Sequence, residues 1–76
     1  MNNKRRQKLS EVKNLLSRAY SITDSALDEE QDALDNMPEN LESSSKYEKI
    51  EDAVNNLEDA LEKIEEAQNC INEALI

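Results

Sequence analysis

Large apolar residues recur through the second half of the chain in alternating three- and four-residue steps. They are Ile50, Val54, Leu57, Leu61, Ile64, Ile71 and Leu75, with Gln68 in the one polar slot. A pattern that closes every seven residues is the period of helices wound left-handedly against a neighbour. Alanines 53, 60, 67 and 74 run beside this seam as a column of small residues, which would let a neighbouring helix approach closely. Ser45-Lys46-Tyr47-Glu48 reads as a capping box and predicts a helix over about 45–75.

The first half carries a broader stripe. Leu9, Val12, Leu16, Ala19, Thr23, Ala26, Glu30, Ala33 and Met37 again step by three and four. Leu15 and Ile22 lie on one shoulder, and Tyr20, Leu27 and Leu34 on the other. So wide an arc is expected of a helix with more than one neighbour, here over about 5–36. Glu30, in the middle of the stripe, is read either as an edge position or as one paired with a base.

Asp35 to Ser45 separates the two. Pro38 disfavours helical geometry at Met37 and suits the start of a new turn, expected over Pro38 to about Glu42. Ser43–Ser45 reads as a flexible break. A connection over about 37–44 lets the helices fold back as an antiparallel hairpin, so the fold expected of residues 1–76 is one all-α domain. The chain holds only sixteen Ile, Leu and Val residues, and a lone hairpin would leave half of each stripe wet. The expected completion is a homodimer forming a four-helix bundle, or a hairpin finished by another protein. The self-association seam would comprise Leu9, Val12, Leu16, Ile22, Leu27, Ile50, Val54, Leu57, Leu61, Ile64, Ile71 and Leu75.

Composition narrows the chemistry. There is no glycine, so neither common phosphate-cradling loop exists, and no calcium loop of the helix–loop–helix type. There is no histidine, which excludes Ser-His-Asp and Cys-His sites and two-His metal sites. The densest acidic cluster, Asp28, Glu29, Glu30 and Asp32, surrounds its helix rather than converging, since adjacent residues point about 100° apart. No catalytic, cofactor or metal residue is therefore assigned, and the chain is not read as an enzyme. Cys70 cannot form an internal disulfide alone and reads as a small, half-buried apolar residue on the flank of the seam. Gln68 is either a device that fixes register or a tolerated edge position. With no long apolar run, neither a signal peptide nor a membrane span is expected, and the expected location is the cytoplasm.

Charge changes the picture most. Residues 1–18 hold Lys4, Arg5, Arg6, Lys8, Lys13 and Arg18 against Glu11 alone, whereas residues 19–76 carry seventeen acids against three lysines. In a hairpin the basic start would lie beside the acidic end of the second helix, with Lys4, Arg5, Arg6 and Lys8 facing Glu65, Glu66 and Glu73. The acids themselves fall in columns. Glu51, Glu58 and Glu65 repeat every seven residues, Asp52, Asp59, Glu66 and Glu73 follow one position later, and Glu62 and Glu48 widen the band. Lys63 is the main compensating base. One reading is an ordinary solvated coiled-coil face. The sharper one is a negative stripe that imitates a phosphate backbone, with columns stepping about 10 Å along the axis. Such a surface repels nucleic acid and seeks a basic protein.

Arg5-Arg6, then Glu29-Glu30-Gln31 with Ala33, then Asn36-Met37-Pro38-Glu39 with Leu41, come in that order before the alanine-containing acidic heptads. In this the chain resembles a group of small acidic helical proteins of phages and prophages of Firmicutes, for which no activity is established. The resemblance implies a context in which small acidic proteins block host defence nucleases, CRISPR effectors and restriction enzymes included. The function expected is a non-enzymatic binding module acting through the acidic columns on a basic host protein such as a nuclease. It would self-associate, need no cofactor and touch neither nucleic acid nor membrane directly. The alternatives are a structural or assembly homodimer, or one half of a heteromeric bundle.

Overall fold

The computed structural model describes residues 1–41 and 44–76. Helix α1 spans Asn3–Asp35, a single turn of 3-10 helix spans Glu39–Leu41, and helix α2 spans Ser45–Ala74. The two long helices pack along each other as a rod with extents of 59 × 14 × 14 Å, and no strand occurs among the described residues. The expected all-α antiparallel hairpin is what forms.

Local chemistry sets the ends. Asn2 caps α1, its Oδ1 accepting from the Arg5 backbone N–H at 2.9 Å, so the helix begins two residues before the expected position. At the other end the Asp32 carbonyl accepts twice from Asn36, from its backbone N–H at 3.0 Å and from its side chain at 2.8 Å, which closes the last turn. Pro38 then stops propagation, and its carbonyl accepts from Leu41 N–H at 2.9 Å to close the short turn. The expected turn reached Glu42 and the expected break included Ser43; both lie outside the described residues. The cap of α2 corrects the sequence reading. Ser44, not Ser45, is the capping residue, its Oγ accepting from Tyr47 N–H at 3.1 Å, and Ser45 is the first helical residue. The third helical position is then Tyr47, which has no carboxylate to return the bond, so the reciprocal capping box is not made.

The core is thin. Only Val54 and Leu61 are buried among the described residues. Leu9, Val12, Leu16, Leu27, Ile50, Leu57, Ile64, Ile71 and Leu75 are half-buried along the seam between the helices. Ile22, expected in the same seam, is 64% exposed. The total accessible surface is 5755 Å², against about 4,700 Å² for a compact monomer of this mass. A single layer of two helices has one inner face per helix and cannot do better.

Candidate functional site: a carboxylate band on α2

All eight acids of the two columns and their bridge, Glu51, Asp52, Glu58, Asp59, Glu62, Glu65, Glu66 and Glu73, are exposed on α2. At about 100° and 1.5 Å per residue they occupy an arc of about 140° and a length of about 33 Å. Glu62 stands between the two columns and makes them one band. No Lys or Arg of α2 falls inside that arc; Lys63 borders it, four residues after Asp59, at a spacing that favours an ion pair. The Glu58–Glu62 and Glu62–Glu66 spacings place like charges as neighbours. Asp52, Asp59, Glu66 and Glu73 lie across the helix from the apolar seam and point outward, whereas Glu51, Glu58 and Glu65 run along the seam's edge.

Two side-chain hydrogen bonds cross between the helices among the described residues, and both bear on this surface. The Tyr20 hydroxyl donates to Glu65 Oε1 at 3.0 Å. That bond, then the charge of Glu65, slight burial and the charge of Asp24, hold the Tyr20 hydroxyl above the ordinary tyrosine value of 10.0. Near the open end of the hairpin, Arg6 Nη1 donates to the Leu75 carbonyl at 2.6 Å. The basic start of α1 does lie beside the end of α2, but this contact goes to a backbone carbonyl rather than to Glu65, Glu66 or Glu73. A guanidinium there satisfies an open acceptor and meets the negative end of the helix dipole.

Tyr20 and Glu65 also mark the register. In that register Thr23 comes level with Glu62, one residue from Leu61, and Glu30 with Asn55, one residue from Val54. The two buried side chains of α2 thus lie where α1 carries its two polar seam residues. Glu30 itself is half-buried.

The hairpin has two unlike flanks. On the Tyr20 side, Lys13, Ser17, Gln68, Asn69 and Asn72 line a shallow polar groove, which gives the half-buried Gln68 a polar setting. On the other flank the seven-residue repeat places Leu15 and Ile22 of α1 beside the alanine column of α2. Cys70 is exposed and free, a correction to its expected half-burial. Its column runs through Lys49, Asn56 and Lys63, one step further from the seam than the alanines.

No group of three or more His, Cys, Asp or Glu among the described residues is placed to hold a metal ion. No helix among them is long and apolar enough to cross a membrane. Comparison with protein-family models, with curated proteins and with solved structures finds no match for the chain.

Proposed function

We propose that the chain is a non-enzymatic binding protein that docks the carboxylate band of α2 onto a basic surface of another protein. The partner class is one whose surface ordinarily holds a phosphate backbone, a host defence nuclease in the phage context that the sequence resemblance implies. The observation that carries this reading is the band itself, eight exposed carboxylates in one arc with no base among them. A purely structural face would gain from interleaved lysines at i,i+4, and α2 sets only Lys49 and Lys63 at the border of eight carboxylates. Complementary charge of this kind speeds encounter and sets specificity.

The test is inhibition of DNA cleavage by an RNA-guided nuclease and by a restriction enzyme, with and without the protein. The variant carries Glu58→Lys, Asp59→Lys, Glu62→Lys and Glu66→Lys, which spares the Tyr20–Glu65 bond. Inhibition that fades between low and moderate salt and vanishes in the variant is expected. Binding to the nuclease that persists undiminished in the variant sinks the reading.

A second reading, a self-assembling structural module, has its own support. Leu15 and Ile22 are exposed large aliphatics two helical turns apart on one flank.

A further inference from the structure

Leu15 and Ile22 are 54% and 64% exposed, whereas Leu9, Val12, Leu16, Leu27 and Leu34 of the same helix are half-buried against α2. The pair stands seven residues apart, so both project along one line of α1. Seven residues further each way, that line meets Lys8 at one end and Glu29 at the other, both exposed. The line therefore reads base, aliphatic, aliphatic, acid in even steps of about 10.5 Å. Such a line is complementary to its own reverse.

We propose that this flank is the interface of a homodimer in which α1 packs antiparallel on α1 of a second copy. This rests on the self-assembling reading above and does not depend on the carboxylate band. A two-fold axis perpendicular to α1, crossing it between Arg18 and Ala19, sets Leu15 against Ile22 of the partner subunit and Lys8 against Glu29 of the partner subunit. Symmetry makes each contact twice, as an isologous interface requires. A shallow depression lined by Ser21, Ile22, Ser25, Ala26 and Glu29 adjoins Ile22 and gives Leu15 of the partner subunit a seat. Charge decides the direction. A parallel pairing would bring Lys8 to Lys8 and Glu29 to Glu29, and like charges in register disfavour it.

One column outward, Lys4 comes level with Asp32 of the partner subunit, while Arg18 approaches its own copy beside the axis. Arg18 stands one column outside the aliphatic line, and its long side chain turns its guanidinium to water rather than toward its copy. Next to this line α2 offers the methyl groups of Ala53, Ala60 and Ala67, with the Lys49, Asn56, Lys63 and Cys70 column one step beyond. The carboxylate band faces away from this flank, leaving one band outward on each copy.

Sedimentation equilibrium of the full chain, from micromolar to sub-millimolar concentration, tests the assignment. The unaltered chain sediments as a dimer. Leu15→Glu with Ile22→Glu raises the dissociation constant by about 100-fold or more with unchanged helical circular dichroism, because both side chains are exposed in the hairpin. Lys8→Glu alone weakens the dimer by about tenfold at low salt. Lys8→Glu combined with Glu29→Lys restores it to within about threefold, since the swap rebuilds both pairs. An unaltered chain that stays monomeric overturns the interface and the self-assembling reading together. A dimer that survives Leu15→Glu with Ile22→Glu overturns this interface alone, and a charge swap no tighter than the single reversal overturns its antiparallel direction.

Discussion

The Tyr20 hydroxyl donates to Glu65 Oε1 across forty-five positions of sequence, at 3.0 Å, and ties the middle of α1 to the carboxylate band of α2. One of the eight acids is therefore held from within the hairpin. The same bond marks how far one helix is slid along the other, a register that the aliphatic seam holds.

Alkaline titration reads this bond directly. The hydroxyl is a donor only while protonated, so the fold favours its protonated form and raises its pKa above 10.0. The stabilisation is fully present below the unfolded tyrosine value and is lost as pH rises through the raised folded value. In a Tyr47→Phe background, absorbance of the phenolate should show Tyr20 ionising above 10.0. Adding Glu65→Ala should bring the midpoint back toward that value; an unmoved midpoint would mean the bond is not made in solution.

Arg6 closes the open end of the rod. Arg6→Ala removes a charge-assisted donor from the Leu75 carbonyl, a contact that is part-buried. After allowance for solvent screening the expected loss is about 1 kcal/mol. It should appear as a lower urea midpoint and as faster amide exchange confined to the last turns of α2. Protection unchanged there would show that water serves the carbonyl equally well.

The thin core makes two positions count more than the rest. Leu61→Ala should cost about 2–3 kcal/mol, the lower part of the range for a buried leucine, because a shallow seam can close on the void. Leu15→Ala, measured at concentrations too low for association, should stay within about 0.5 kcal/mol. Equal costs in urea unfolding would place the core somewhere other than along Val54 and Leu61.

The two adjacent serines at the start of α2 are chemically equivalent in sequence and unequal in structure. Ser44→Ala removes the oxygen that accepts from Tyr47 N–H and should cost about 1 kcal/mol. Ser45→Ala replaces a first-turn residue by a better helix former and should be neutral or slightly stabilising. Thermal melts of the two variants separate the cases, and the reverse order would move the cap to Ser45.

Much of this was legible in the chain. The seven-residue repeat of Ile50 to Leu75 and the looser stripe of Leu9 to Met37 specify two helices with one shared seam. Pro38 locates the reversal, because it acts through local sterics that need no partner. What failed to show in sequence depends on the relative placement of the helices. Tyr20 reads as one more apolar residue on a shoulder, since its bond to Glu65 exists only in one register. Arg6 reads as a partner for carboxylates because a backbone carbonyl leaves no mark in a sequence. Ile22 and Cys70 were assigned too near the seam, as periodicity gives direction around a helix but not how wide a strip the neighbour covers. The band was legible as columns widened by Glu62, and its width around α2 follows from helix geometry alone.

A rod of two helices has no interior in the usual sense, and each position belongs to one of a few lines running its length. Substitution in any line changes either how the helices hold each other or what the rod shows to the outside, with almost nothing left over that is silent. Tolerance to mutation, scanned along α2, should therefore oscillate with the heptad rather than rise and fall by region. Its minima on the seam would report stability, and any second set of minima on the outward columns would report the partner.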